Sequence, residues 1–282
     1  MSSFWTVFKH TLFRSRWTIL GWGVPLLLLG VLTMPFYDLV AENERSLRSL
    51  IQGLKPFLKS FIGGDDAENL FTPAGFIALR YFSFIPVIMG ILGAIVGSGL
   101  LAVDEERGVL DFVLAHPASR AAVFWGRLAG LAAVIGLIIL LGWLGLWWGV
   151  LMAEELNFPP SQLFLPFLSV IAVAGLFASM GLVLSMCMPS RTAAAMTTGI
   201  FVMASFIITS LARSIPALEV WATISPLSYF QEDAMLGLEI APLLGLSAVT
   251  ATFSALAWFG FWKRDIRVSG DSGWKLPFSL KR

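Results

Sequence analysis

The sequence predicts an all-α polytopic membrane protein with six transmembrane helices, and three observations carry that expectation. Of the 282 residues, 57% are hydrophobic and 13% are charged, where soluble domains carry roughly 25% charged residues. Long stretches without Asp, Glu, Lys or Arg place six spans at about 17–37, 81–103, 128–152, 162–187, 192–212 and 240–262, each near the ~20 residues a helix needs to cross the hydrocarbon core. Period-two alternation of apolar and polar residues is missing, which argues against a membrane β-barrel. The whole chain, 1–282, is expected to form a single transmembrane domain with an outer segment at 38–80, a loop at 104–122 and a tail at 263–282.

Ahead of the first span, Phe4, Trp5, Phe8, Leu12 and Phe13 recur at helical spacing among Lys9, His10, Arg14 and Arg16. This pattern predicts an amphipathic helix lying in the membrane interface, aromatics toward lipid and bases toward headgroups. Met1 to His10 lacks the basic, apolar and small-residue succession of a cleavable signal, so the first apolar run is expected to be retained. Within 38–80, Leu39, Leu47, Leu50, Leu54, Phe57 and Phe61 repeat at near-helical intervals, which predicts an amphipathic helix up to Lys55-Pro56 and a second short one after it. Gly63-Gly64-Asp65-Asp66 reads as a solvated turn, with no Ca²⁺-ligand spacing following.

Span two carries Gly90, Gly93, Gly97 and Gly99, span three begins with Gly126 and Gly130, and span four holds Gly175 and Ser179. Small residues three or four apart let helix backbones approach closely, and internal packing is the expected use. Trp143, Trp147 and Trp148 are expected to anchor the outer end of span three in the interface. Cys187, the single cysteine, reads as a buried structural thiol. Between Arg213 and span six, the apolar stretch from Val220 to Phe230 is too short to span and is broken by Pro226. It predicts short helices dipping into the outer leaflet.

Charge distribution orients the chain. Six spans put both termini on one side, and 13 of the 19 Lys and Arg fall there, while twelve of the eighteen acids fall on the other. Short loops rich in Lys and Arg stay in the cytoplasm, so both termini and the 104–120 loop are expected to be cytoplasmic, in a multi-pass protein of the inner (plasma) membrane.

That loop carries the densest charge between any two spans: Asp104-Glu105-Glu106-Arg107-Gly108, expected to lie in water. Leu110 to Leu114 then form a short, half-apolar helix outside the membrane, and such a helix needs a cover. Glu105-Glu106-Arg107-Gly108, the short helix and Pro117-Ala118-Ser119-Arg120 together resemble the loop between the second and third spans of ABC-2 type transporter permeases. The segment before span six resembles that family's re-entrant hairpin, and Phe261-Trp262-Lys263-Arg264 its stop-transfer end. The resemblance implies that the loop is the coupling helix contacting an ATP-hydrolysing subunit. It implies charged contacts from Glu105, Glu106, Arg107 and Arg120, and apolar or polar ones from Leu110, Phe112, Val113, Leu114, Pro117 and Ser119. It further implies two ABC ATPase subunits that bind ATP and Mg²⁺, and a second permease, either a copy of this chain or a homologue. No cofactor is expected in this chain.

The chemistry missing from the sequence agrees with a transport subunit that is not itself an enzyme. There is no Gly-rich loop ending in Gly-Lys-Ser/Thr, no His-Glu-x-x-His and no Gly-x-Ser-x-Gly. With two histidines a His-based metal site is not expected, and a net charge of +1 does not point to nucleic acid. Span interiors essentially without ionisable residues argue against ion coupling. Apolar and Met-rich span surfaces suit a hydrophobic or amphipathic cargo, and export is what the family implies. Two other classes stay open: a membrane scaffold or sensor that binds a cytoplasmic partner, and a channel lined by Thr192, Thr197, Thr198, Ser205, Thr209 and Ser210 of span five.

Overall fold

The computed structural model describes residues 2–46, 49, 71–106 and 119–263. Among them the regular structure is helical, with α1 (Ser2–Arg14), α2 (Arg16–Thr33), α3 (Phe36–Glu42), α4 (Pro73–Ile77), α5 (Ile85–Glu106), α6 (Arg120–Met152), α7 (Pro160–Cys187), α8 (Arg191–Ser214), α9 (Glu219–Ala222) and α10 (Ile240–Lys263). Six stretches, Arg16–Glu42, Pro73–Glu106, Arg120–Met152, Pro160–Cys187, Arg191–Arg213 and Ile240–Lys263, are long and apolar enough to cross a membrane. The expected turn at Gly63 to Asp66 and the helices between Leu50 and Ile62 fall outside the described residues.

Spans two and four (α5 and α7) form the centre of the bundle. Span one (α2) pairs with span three (α6), span five (α8) leans on α5 and α7, and span six (α10) packs on α7. Glycine makes these contacts possible. A β-carbon at Gly97 would overlap the Ala178 carbonyl of α7, and one at Gly93 would lie 2.6 Å from the Ala174 oxygen. On the other seam, β-carbons at Gly30, Gly145 and Gly149 would overlap the backbone of the facing helix. The small-residue stripes therefore serve internal packing, as expected.

The interfacial helix divides its aromatics more finely than its periodicity implies. Phe4, Val7, Phe8 and Thr11 run along span three, where Gly126 and Gly130 leave room for them. Trp5 and Phe13 remain exposed. Leu12 packs on the main core. A helix with an apolar stripe this wide can serve a neighbouring helix and the lipid at once.

Away from the terminal helices, span two begins as a π-helical turn, Ala78–Phe82, that aims Tyr81 inward. The Tyr81 hydroxyl lies 2.8 Å from the Gly142 carbonyl and 3.1 Å from that of Leu26, linking spans one, two and three. Phe82 and Phe167 pack edge to face beneath it, with ring centroids 5.1 Å apart. Tyr81→Phe is expected to cost about 1 kcal/mol, since one donor is lost and both carbonyls lie inside helices that already offer them partners. Denaturant titration in mixed micelles would show it as a shifted midpoint at unchanged slope.

Two local readings are corrected. Trp143 and Trp147 stack on each other, and the Trp143 indole donates to the Pro160 carbonyl at 3.1 Å, so only Trp148, 63% exposed, has the free face of an interfacial anchor. Cys187 is half-buried rather than buried, because it sits in the last turn of α7 where the bundle ends. In the segment before span six, two 3₁₀ turns (216–218 and 226–229) flank α9. Ser225 fastens it to span five, its hydroxyl oxygen lying 2.5 Å from that of Ser205 and 2.7 Å from that of Thr209. Gln231 closes its far end by exchanging two hydrogen bonds with the Glu239 backbone, at 2.7 and 2.9 Å. The hydroxyl stripe of span five is thus spent on helix-to-segment packing at Ser205 and Thr209, and on the Ala194 carbonyl at Thr198.

Candidate functional site

The two feet of the 104–120 loop are clamped into the rest of the bundle. Span two does not end at Val103: α5 continues through Glu106, and α6 starts at Arg120. Asp104, expected in water, is instead buried within the last turns of α5 with its side chain 8% exposed. Its two oxygens are divided between two arginines. Oδ2 meets Nη2 of Arg127 at 2.6 Å, and Oδ1 meets Nη1 of Arg14 at 2.8 Å. Arg127 is itself only 9% exposed and donates its other terminal nitrogen to the Leu100 carbonyl at 3.1 Å.

Why the sequence builds this cluster is a matter of register. Arg14 closes α1, Asp104 lies two residues before the end of α5, and Arg127 stands two turns into α6. The packing of α1 along Gly126 and Gly130 brings Arg14 over the α5–α6 junction. A lone Asp or Arg at this depth would be expensive to desolvate; a carboxylate shared by two guanidiniums satisfies the group. Helix α6, at 33 residues, is about 50 Å long, well beyond a ~30 Å hydrocarbon core. The triad lies at the first two turns of that helix.

Two further contacts tie the feet down. The exposed Glu106 carboxylate accepts from the Arg191 backbone N–H at 2.6 Å, at the first turn of span five. Negative charge is favoured at that helix start. The neighbouring cap comes from Ser190, whose hydroxyl accepts from Ala193 N–H at 3.1 Å. On the other foot Ser119 caps α6 through Ala122 N–H at 3.1 Å, and Arg120 donates to the Trp262 carbonyl at the end of span six at 3.3 Å. Behind Arg120, Phe124, Trp258 and Phe261 form an aromatic cluster, the ring centroids of Phe124 and Trp258 lying 5.2 Å apart. Between them the two feet contact α1 and spans two, three, five and six.

Of the residues assigned to the loop's interface, Glu105, Glu106, Ser119 and Arg120 are described; Glu105 is half-buried, Glu106 exposed, Ser119 exposed and Arg120 half-buried. Arg107, Leu110, Phe112, Val113, Leu114 and Pro117 lie outside the described residues. Sequence reasoning missed Arg14, Asp104 and Arg127 as a unit. The one available signal was an Asp directly at the end of an apolar run with an Arg at the start of the next, which a span count treats as two boundaries.

Similarity to known proteins covers nearly the whole of this architecture. The family model described as "ABC-2 family transporter protein" matches residues 10–266, from α1 to just beyond span six. No curated protein matches the chain significantly.

Proposed function

Since this chain belongs to the ABC-2 transporter family, and so is the membrane-spanning permease component of an ABC transporter rather than its ATPase, we propose that it works as an exporter driven through the 104–120 loop. Family membership entails an ABC ATPase partner. In our reading two ATPase subunits bind ATP and Mg²⁺ and press on the loops of two permeases, copies of this chain or homologues, on the cytoplasmic side. The charged contacts are Glu105, Glu106, Arg107 and Arg120; Leu110, Phe112, Val113 and Leu114 supply the apolar part, with Pro117 and Ser119 completing the surface. Closure of the ATPase dimer moves the loop, and its clamped feet carry the motion into the bundle, which alternates between inward- and outward-facing states. The cargo is hydrophobic or amphipathic, in keeping with apolar span surfaces.

The observation that carries this reading is the clamping itself. Asp104 joins two arginines while Glu106 and Arg120 reach spans five and six, so both ends of the loop are fastened to the bundle. The test is purification of the tagged chain from its native membrane in mild detergent, followed by mass identification and an ATPase assay. A stoichiometric P-loop protein should co-purify and should be lost when Glu105, Arg107 and Leu114 are replaced together by Ala. Recovery of the chain alone, or with a partner lacking a nucleotide site, would overturn the reading in favour of a scaffold or a channel.

A further inference from the structure

At the end of the bundle opposite the loop, spans two and five and the segment before span six enclose a cleft of about 190 Å³. Its lining combines the aromatic Phe84, Phe206 and Phe230 with the polar Ser210, Arg213 and Glu232. Phe84 is 65% exposed and leans on Phe206, their ring centroids 6.3 Å apart, so aromatic surface continues from the cleft onto the outside of the bundle. Arg213 reaches Glu232 with one terminal nitrogen at 3.1 Å, and its side chain remains 52% exposed. Among the described residues no other hydrogen bond is made by the Arg213 guanidinium, which has five N–H donors in a planar fork. Glu232 also lines a second cleft of about 290 Å³, shared with Phe230 and with Asp233.

We propose that this cleft binds the headgroup of a zwitterionic membrane amphiphile, a phosphoethanolamine, with its acyl chains left in the bilayer against Phe84. Size decides the first part. Sites that bury whole drug-sized ligands occupy roughly 300–1,000 Å³, and this cleft holds a head and little more. Charge decides the second. The open side of Arg213 takes the phosphate, bidentate where geometry allows. Glu232 takes the ammonium, which donates hydrogen bonds that a quaternary ammonium lacks. An anionic head without an amine leaves the Glu232 carboxylate unmatched by the ligand. The Ser210 hydroxyl in the same lining adds a donor to the phosphate. The inference extends the export reading by naming a cargo class, and rests on that reading only for what the site is for.

Binding is measured on the isolated, delipidated chain without any ATPase, by native mass spectrometry during titration with dioleoyl phosphatidylethanolamine, phosphatidylglycerol and phosphatidylcholine. Phosphatidylethanolamine should bind most tightly. Arg213→Gln, Glu232→Gln and Phe84→Ala should each weaken it about tenfold, the loss of one charge-assisted or apolar contact of ~1.4 kcal/mol. Arg16→Gln, at the other end of the bundle, should leave it unchanged. Phe84 is an exposed side chain, so its variant keeps the test valid should Arg213→Gln unfold. Equal binding of phosphatidylglycerol, equal binding of water-soluble glycerophosphoethanolamine, or wild-type affinity in the folded cleft variants would overturn the proposal. Lipid binding without a recovered P-loop partner would leave the site standing and remove the export reading; the converse result would do the reverse.

Discussion

Asp104→Asn is expected to destabilise the protein by about 3–5 kcal/mol, the usual cost of removing one member of a buried ion pair. The loss falls on Arg127. At 9% exposure its guanidinium has no access to bulk water, and an amide in place of the carboxylate leaves a buried cation with only the Leu100 carbonyl and a neutral oxygen. Arg14 contributes less, because at 43% exposure it can turn toward water when its partner is neutralised. Arg14→Gln should therefore cost under about 1 kcal/mol. A further variant separates charge from packing: Asp104→Leu with Arg127→Met removes both buried charges at similar volume and should recover most of the stability. Thermal or denaturant unfolding in mixed micelles checks all three. If Asp104→Asn unfolds with the parent protein, the triad is not the clamp described above. Should the Leu–Met variant fold well yet lose stimulation of a co-purified ATPase, the ionic contact has a part in coupling beyond stability.

The second large effect is expected at Gly97. Its missing side chain lets α5 touch the α7 backbone at Ala178, and Gly97→Ala places a methyl inside that carbonyl. Backbone cannot move aside as a side chain does, so the two central spans must separate along a seam also held by Gly93 and Gly181. A cost of about 3 kcal/mol, at the upper end for overpacking, is expected. Gly136→Ala in span three is the matched control, with no atom within 4 Å of the new methyl. It should be neutral or stabilising by up to ~1 kcal/mol through helix propensity. Equal stability of the two variants would mean that spans two and four do not pack as described.

The contrast between those residues shows what was legible in the sequence. Six spans, an N-terminal helix ahead of them and the placement of Gly93 and Gly97 at a helix seam follow from composition and period alone, because hydrocarbon thickness and helical rise leave few alternatives. The loop from Glu105 to Arg120 was visible as charge between apolar runs. Its resemblance to the family's loop then suggested the role proposed above. The clamp at its feet was not visible. Arg14, Asp104 and Arg127 are separated by 90 and 23 positions, and nothing in a linear pattern says that a carboxylate at a span's end faces two arginines rather than water. The same holds for Tyr81, whose hydroxyl links three spans, and for Arg213 and Glu232 across the outer cleft.

Periodicity reports which face of one helix is apolar; it carries no term for which neighbour meets that face, or at what height. Composition and charge alone were enough to place six membrane crossings and an amphipathic stretch between spans two and three. That the feet of the loop are held by buried charge and by spans five and six emerged from helix packing, because ion pairs between distant residues exist only once the helices have chosen their partners.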